Sequence, residues 1–496
     1  MTAVLSRERI IARPGFNRWL VPPAALAIHL SIGMAYGFSV FWLPLSRAVG
    51  VTQPIPCPDT MSFFQRMVAT TCDWKISTLG WMFTLFFVFL GSSAAVFGRW
   101  LEHSGPRNAG VVAAFCWGGG FLISAIGVHL HQIWLLWLGS GVIGGCGLGL
   151  GYISPVSTLI KWFPDRRGMA TGMAIMGFGG GAMIGAPLAD ILMKHYATAT
   201  SVGVQETFVT MGIIYFVAMM AGAFGYRVPP PDWKPAGWNP KARQVAMITA
   251  RHVHVDTAWK TPQFWLLWAV LCLNVSAGIG VIGMASPMIQ EVFGGRLIDL
   301  PGVPFSALDE AQKAQLATVG AAFAALLSLF NIAGRITWAS LSDYLGRKRT
   351  YFIFFALGAL LYASVPFAGR SGKVALFAAL FCLILTMYGG GFATIPAYLA
   401  DIFGTQFVGA IHGRLLTAWS AAGILGPVLV NYIREYQIDR GIPAAEAYNF
   451  TMYVLAALLV VGFFCNLALR PVDERHYMTE DDLARERGPV AAMGRA

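Results

Sequence analysis

Residues Phe330 to Arg349 read FNIAGRITWASLSDYLGRKR, and this stretch identifies the class of protein. Its second half is a tight, charged turn between two helices, and its first half ends an apolar helix that contains Arg335. If Asp343 marks a membrane surface, Arg335 lies about 12 Å deeper, near the middle of a hydrocarbon core about 30 Å thick. A guanidinium at that depth costs at least about 2.5 kcal/mol on insertion scales and stays protonated. The sequence therefore predicts that Arg335 faces a cavity and meets an anion, either a substrate or a carboxylate on a neighbouring helix.

The composition extends this interpretation to the whole chain. Of its 496 residues, 56% are hydrophobic and 12% are charged, whereas about a quarter of the residues of soluble proteins are charged. Apolar runs of about twenty residues recur along the sequence, which predicts an all-α polytopic membrane protein. The net charge of +11 comes from short connecting segments, so it indicates a lipid bilayer as partner and no nucleic acid.

The apolar runs predict twelve transmembrane helices. We place them at 19–45, 78–100, 107–128, 133–160, 169–193, 207–226, 262–292, 316–341, 350–367, 374–402, 409–432 and 448–469. The predicted domains are an N-terminal segment (1–18), a first six-helix bundle (19–226), a polar linker (227–260), a second six-helix bundle (261–469) and a charged tail (470–496).

Basic residues predict the orientation of the chain. They concentrate in connections on one side of the membrane, namely Arg166, Arg167, Lys234, Lys241, Arg243, Arg251, Arg347, Lys348 and Arg349. By the positive-inside rule this side is cytoplasmic, so both termini are cytoplasmic and the chain lies in the cell inner membrane. The opposite side carries two long external loops, 46–77 and 293–315.

The two halves repeat each other at a constant spacing of 241 residues. The pairs with this spacing are Glu102 and Asp343, Gly105 and Gly346, Arg107 and Lys348, Pro155 and Pro396, Gly172 and Gly413, and Gly185 and Gly426. A spacing that holds without slippage over about eighty residues indicates two parallel bundles, which is typical of transporters built from internal repeats.

The segments Glu102–Arg107 (EHSGPR) and Asp343–Lys348 (DYLGRK) resemble the short loop motif of the major facilitator superfamily. The acid of that motif accepts from a helix N-terminus and from a basic side chain, and so latches one conformation. The resemblance implies a conformational latch with five members: Glu102, Arg107, Asp343, Arg347 and Lys348. Arg414, five residues into helix 11, either substitutes as a second cation or guards the cytoplasmic mouth as a gate. The first copy departs from the pattern because it has Glu for Asp and lacks a basic residue after the acid.

Further segments resemble the oxalate/formate antiporter family, which is related to the monocarboxylate transporters. These segments are Lys161–Gly168 (KWFPDRRG), Gly389–Gly391 with Pro396, and Gly334–Arg335. The resemblance implies a major facilitator fold in which Arg335 binds the substrate carboxylate. Oxalate-specific members carry a lysine in a Thr-Ala-Lys context on helix 11, where this chain has Thr417-Ala418-Trp419. One cation without the second fits a monocarboxylate better than a dicarboxylate.

Other predicted site residues share this depth. Trp419 lies about 15 Å into helix 11, where its indole either forms an apolar wall for an organic tail or packs between helices. Asn331 lies one turn before Arg335 on the same face. Four more side chains fall at mid-depth: His29, Tyr36, Tyr152 and Tyr388. Each tyrosine either lines the site or packs, and His29 either couples protons or is a neutral, hydrogen-bonded core residue.

Cys57 and Cys72 share the first external loop and predict either a disulfide or two free thiols. A bridge would hold the loop as a lid over the external mouth or as a dock for a partner, such as a small accessory membrane subunit. The other five cysteines fall in predicted helices and are expected to pack. The sequence shows no metal-ligand spacing and predicts no cofactor.

These observations predict secondary active transport of small organic carboxylate anions by a monomer that works by alternating access. Antiport of the oxalate/formate kind and monocarboxylate transport with a proton both fit these residues. The alternatives are an inorganic oxyanion carrier, which would need more than one deep cation, and a non-transporting receptor or accessory subunit. An enzyme is disfavoured because no loop carries a nucleophile–base pair or a metal set.

Overall fold

The structure is a computed structural model of the chain. It describes residues 2–51, 55–58, 60–74, 76–230, 233–238 and 247–487. These residues form helices and the connections between them, with isolated backbone bridges and no strand. The predicted all-helical class is therefore confirmed.

Twelve long helical segments run through the described chain, and we number them α1–α12. They are α1 (Val21–Ile32, continued by a 3₁₀ segment, Gly33–Phe41), α2 (Ile76–Ser104), α3 (Pro106–His129), α4 (Gly145–Trp162, preceded by Ile133–Leu136 and a π segment, Trp137–Gly144), α5 (Arg167–Tyr196), α6 (Val204–Gly225), α7 (Pro262–Phe293), α8 (Glu310–Leu345), α9 (Arg347–Arg370), α10 (Val374–Phe403), α11 (Val408–Leu415 and Thr417–Asp439) and α12 (Asn449–Ala468). They agree with the predicted spans apart from residues at the helix ends, where boundaries are least well defined.

Short helices occupy the termini and connections. The α-helical ones are Thr2–Leu5, Trp42–Leu45, Phe63–Val68, Val255–Ala258 and Glu480–Arg487, and the 3₁₀ ones are Arg7–Ile10, Arg18–Leu20, Gly294–Ile298, Phe305–Ala307 and Glu474–His476. By length and composition, eleven helices of the described residues could cross a membrane, and α8 is not among these eleven. α8 is 36 residues long and carries Arg335.

The two loop motifs form the same turn. Gly105 joins α2 to α3 with a φ of 85°, and Gly346 joins α8 to α9 with a φ of 88°. Their ψ values of 161° and 144° place both in a region that is nearly restricted to glycine. A side chain at either position would be strained, so the repeated glycines are explained by the geometry of the turn.

Contacts between residues divide the chain into two compact units. Unit 1 consists of Met1–Trp265, Pro396–Thr417 and Arg470–Ala496. Aromatic side chains of α1, α2, α3 and α6 form much of its buried core, in which Trp117 Nε1 donates to Ser31 O (3.1 Å) and ties α3 to α1. The first part of α11 packs against α2 and α4 within this unit.

Unit 2 consists of Leu266–Ile395 and Ala418–Leu469. α9 packs against α12, and two buried tyrosines of α9 bond to neighbouring backbones. Tyr351 donates to Gly391 O (2.6 Å) on α10, and Tyr362 donates to Ala277 O (2.8 Å) on α7. These two bonds join α9 to α10 and to α7. The bundle boundaries inferred from the sequence stay a prediction.

The described part of the loop between α1 and α2, predicted to be external, is an ordered structure built around Asp73. Its buried carboxylate accepts from the backbone N–H groups of Val49 (2.7 Å), Gly50 (3.1 Å) and Ile55 (2.9 Å). A disulfide joins Cys57 to Cys72, the residue before Asp73. The loop therefore has a covalent tie and a hydrogen-bonded anion at the same point.

The same loop is anchored on the connection between α3 and α4. The ring of Trp74 stacks on the ring of His131, with centroids 3.9 Å apart, and His131 Nε2 donates to Cys72 O (2.8 Å). Burial lowers the pKa of His131, although the Cys72 carbonyl and Asp73 act in the opposite direction. A neutral His131 is therefore favoured in the folded loop. The predicted lid or docking role of this loop stays a prediction.

Removal of the bridge by Cys57→Ser should lower the stability of the protein. The chain-entropy model gives about 3 kcal/mol for a closed loop of about fifteen residues. Intact-mass measurement after alkylation should show that Cys57 and Cys72 become modified only after reduction. Cys465→Ser, outside the loop, is the control and should leave this mass difference unchanged. Full alkylation of both loop cysteines in the unreduced protein would show that no bridge forms.

Candidate functional site

Arg335 lies on α8 inside unit 2 and has no solvent-exposed surface. Its Nε donates to Oδ1 of Asn331, one turn earlier on the same helix, at 3.2 Å. Asn331 is also buried. The polar face predicted from the spacing of these two residues is therefore present, and the amide fixes the guanidinium while adding no charge.

One aromatic ring of α10 lies against this cation, and two more rings, from α10 and α11, pack on that ring. The centroid of Phe392 lies 5.8 Å from Arg335 Cζ, within the range of a cation–π interaction. Trp419 lies 4.4 Å from Phe392, and Tyr388 lies 5.4 Å from it, between ring centroids. The structure thus brings Arg335, Trp419 and Tyr388 together through Phe392, which sequence reasoning missed. Its position one turn after Tyr388 was the available signal.

A glycine on α10, Gly389, allows α10 to lie close to α8. A Cβ added at Gly389 would lie 2.1 Å from Asn331 O, so a side chain there would push α10 away from α8. The side chain of Asn274, on α7, is buried against α10. Its Oδ1 has no hydrogen-bond partner among the described residues. Asn274 would meet a Cβ built at Gly391 at 2.3 Å. It was also missed from the sequence.

The remaining predicted site residues form a separate cluster in unit 1. Both ring nitrogens of His29 contact backbone carbonyls, with Nδ1 2.5 Å from Ala174 O and Nε2 3.3 Å from Tyr152 O. The ring of Phe178 lies 4.9 Å from Tyr36 and 5.7 Å from Tyr152. His29, Tyr36 and Tyr152 are therefore neighbours, and their role in substrate binding stays a prediction.

His412 joins this second cluster and was not predicted. It lies on the first part of α11, has 1% of its surface exposed, and places its ring 5.8 Å from that of Tyr152. Neither ring nitrogen has a hydrogen-bond partner among the described residues. A buried imidazole without hydrogen bonds is uncommon and requires an explanation.

The first copy of the loop motif bonds to the start of α11. The buried carboxylate of Glu102 accepts from Gly409 N (3.0 Å), Ser157 Oγ (3.2 Å) and Lys161 Nζ. Gly409 belongs to the first turn of α11, where unpaired N–H groups favour an anion. Glu102 thus has the helix N-terminus and the basic partner that the motif implies, and the base is Lys161, outside the motif.

Arg107 has a different environment. Its guanidinium donates to three backbone carbonyls, of Val4 (3.0 Å), Phe224 (3.1 Å) and Tyr226 (3.4 Å). These contacts tie the N-terminal segment and the end of α6 to the start of α3.

The second copy of the motif forms its bonds within unit 2. Arg347 pairs with Asp343 at 2.5 Å, one turn apart. Lys348 donates to Leu467 O (3.0 Å) and Leu469 O (2.6 Å), the end of α12, where a cation is favoured. The latch role of the motif residues stays a prediction.

Arg414 is held by the linker. It donates to Val255 O (2.8 Å) and Asp256 Oδ1 (2.5 Å), and Asp256 also pairs with Arg99 at 3.3 Å. The hydrogen bond from Arg414 is the main reason why the pKa of Asp256 is lowered. A further pair in unit 1, Arg167 with Asp401 at 2.8 Å, was missed. These contacts agree with a gate position for Arg414 and leave that role a prediction.

No group of three or more His, Cys, Asp or Glu side chains that could hold a metal occurs among the described residues. The chemistry of the two clusters is that of noncovalent binding, with one cation, amides, imidazoles and phenols.

Comparisons with known proteins were made on sequence and on fold. The family model of the Major Facilitator Superfamily matches residues 25–308 and 300–494. The oxalate:formate antiporter of Oxalobacter formigenes is 25% identical over 91% of this chain and 90% of that protein. Apicoplast pyruvate carrier 1 of Toxoplasma gondii is 26% identical over 73% of this chain and 70% of that protein. The fucose:proton symporter FucP of E. coli shares the fold, with a TM-score of 0.59, 13% identity, and coverage of 91% of this chain and 99% of that one.

Glu102→Gln should destabilise the protein by about 1–3 kcal/mol, because it leaves Lys161 without its anion. We expect the lower part of that range, since 22% of the Lys161 side chain is exposed and water screens the charge. Thermal unfolding in detergent measures the effect, with Glu480→Gln on the exposed tail as the control. Addition of Lys161→Met to Glu102→Gln should recover part of the loss. Equal melting temperatures for Glu102→Gln and the control would contradict the assignment.

Proposed function

Because the chain belongs to the Major Facilitator Superfamily, we propose that it transports small organic carboxylate anions by alternating access, with Arg335 binding the carboxylate. Membership makes the chain a multi-pass membrane transporter and not an enzyme. Two relatives named for the transport of small carboxylates, the oxalate:formate antiporter and the apicoplast pyruvate carrier, support this substrate class.

The observation that carries the proposal is the complete burial of Arg335 among an amide and aromatic rings. A guanidinium keeps its charge in any protein environment, and its planar arrangement of N–H donors pairs with a carboxylate through two parallel hydrogen bonds. Asn331 orients the side chain through Nε. A carboxylate bound here would replace hydration that the buried cation has lost.

The aromatic rings support a preference for one carboxylate with a small organic tail. Phe392 presents its ring to the cation, and Trp419 and Tyr388 pack against Phe392. A second carboxylate would need a second cation, and an indole occupies the position of the lysine that the oxalate-specific relatives carry. We therefore propose monocarboxylates as the preferred substrates, ahead of dicarboxylates and inorganic oxyanions.

The cellular setting is part of the proposal. The distribution of basic residues supports a location in the cell inner membrane with both termini in the cytoplasm. We take the monomer as the functional unit, and the ordered external loop is the place where a small accessory membrane subunit would dock.

Uptake of labelled anions into proteoliposomes tests the function. Formate, pyruvate and lactate should enter, with and without an internal counter-anion, and should compete with one another. Sulfate and phosphate should compete poorly. Saturable uptake of an inorganic oxyanion together with no uptake of any carboxylate would replace this proposal with an oxyanion carrier.

Arg335→Gln and Arg335→Lys should each reduce carboxylate uptake at least a hundredfold while the protein still inserts into the membrane. Lysine keeps the charge but loses the planar pair of donors that a carboxylate requires. Arg370→Gln is the matched control, because Arg370 is an exposed arginine at the end of α9. Its uptake should equal that of the unmodified protein, and wild-type uptake by Arg335→Gln would refute the site.

Trp419→Lys should shift selectivity toward dicarboxylates by placing a second cation near Arg335. Competition by oxalate, relative to competition by formate or lactate, should rise by about tenfold or more, which corresponds to about 1.4 kcal/mol. Trp419→Phe controls for the loss of the indole and should leave the ratio near its original value. An unchanged ratio in Trp419→Lys would place Trp419 outside the site.

A further inference from the structure

His29 occupies a position that suits an imidazolium. Its two ring nitrogens contact the carbonyl oxygens of Ala174 and Tyr152. A neutral imidazole has one N–H, so it can donate to one of these oxygens and presents a lone pair to the other. The protonated ring donates to both. The backbones of α5 and α4 therefore supply two acceptors for a charged His29.

A second buried imidazole also lies beside the ring of Tyr152. The ring of Tyr152 is 5.3 Å from that of His29 and 5.8 Å from that of His412. His412 is almost completely buried, and neither of its nitrogens bonds to a described protein atom. Two buried imidazoles thus lie beside one tyrosine ring.

The elements packed around this pair define its electrostatic surroundings. His29 and His412 each lie beside the ring of Tyr152. Glu102 lies at Gly409, one turn before His412, and its charge is already neutralised by Lys161. The packed helices carry further titratable groups at greater distance along the chain. They include Arg99 and His103 on α2, Cys146 on α4, Arg167 (paired with Asp401), Lys194, His195 and Tyr196 on α5, Tyr215 on α6, and Arg414 on α11, which Asp256 holds, besides Tyr36 and Tyr152 themselves.

We propose that His29 and His412 form a proton-binding site that holds one proton and carries it together with the substrate anion. Each ring lies within 6 Å of the ring of Tyr152. Two imidazolium ions that share this buried environment would repel each other, so the pair holds one proton and not two. The proton-binding site stands on the geometry of unit 1. Its coupling to substrate rests on the carboxylate transport proposed above.

Binding and release of the proton need no reactant other than water. A proton from water forms an N–H bond with an imidazole nitrogen of the empty pair, and the pair gains one positive charge. The same bond breaks when the proton leaves to water on the other side of the membrane. One monocarboxylate anion and one proton together move no net charge, so a pH gradient alone can drive accumulation.

The first test counts protons and needs no substrate. Detergent-solubilised full-length protein is titrated between pH 8 and pH 5, and the protons bound are compared with those of the double variant His29→Gln/His412→Gln. The variant should bind one proton fewer. If the unmodified protein and the variant bind the same number of protons, both histidines stay neutral. If the numbers differ by two, the histidines bind protons independently. Either result overturns the proposal. Size-exclusion chromatography checks folding, and His29→Asn/His412→Asn replaces the pair if the first variant misfolds.

The second test measures coupling in proteoliposomes with labelled pyruvate. The quantity is the ratio of net uptake driven by a pH gradient to exchange at equal pH. His412→Gln should lower this ratio at least tenfold, and His131→Gln, in the connection between α3 and α4, should leave it unchanged. An unchanged ratio in His412→Gln would overturn the coupling. If unmodified protein moves no carboxylate, the function proposed above fails, while the proton count still decides whether the histidine site exists.

Discussion

The free energy of burying a guanidinium governs the organisation of unit 2. Arg335 is fully enclosed and cannot lose its proton, so its surroundings must compensate the hydration that it has lost. The amide of Asn331 and the ring of Phe392 supply part of this compensation. Glycine at position 389 lets α10 approach α8 closely enough for that ring to reach the cation. Packing in this region therefore follows from the placement of one charge.

Much of this arrangement could be predicted because it depends on periodicity within one helix. Arg335 and Asn331 are one turn apart, so their shared face follows from the sequence. Phe392 could not be singled out, because it is one of 34 phenylalanines and its role depends on how α10 packs. The partners of Arg107 are backbone carbonyls, which leave no sequence signal. His412 was missed because its burial results from the contact of α11 with α2.

The two copies of the loop motif share the same glycine turn but differ in the hydrogen bonds and ion pairs that their acidic residues form. Gly105 and Gly346 have nearly the same backbone conformation, since that requirement is steric. The acids that precede them differ, because Glu102 reaches the start of α11 whereas Asp343 pairs with Arg347 of its own motif. Sequence repetition thus predicted the local backbone well and the side-chain partners poorly, as expected when partners come from distant segments.

The π segment Trp137–Gly144 sets the direction in which the rest of α4 faces. A π turn accommodates one residue more than an α turn, and here Ser140 stabilises it by bonding to Ser124 on α3 through both its hydroxyl (2.7 Å) and its N–H (3.0 Å). Deletion of one residue from this segment would convert it to a regular α-helix. The side chains of α4 that follow would then be rotated about the helix axis by about 100°. Tyr152 would then turn away from His29. The direction in which Tyr152 points around its helix axis thus depends on a π segment that ends more than one turn before it.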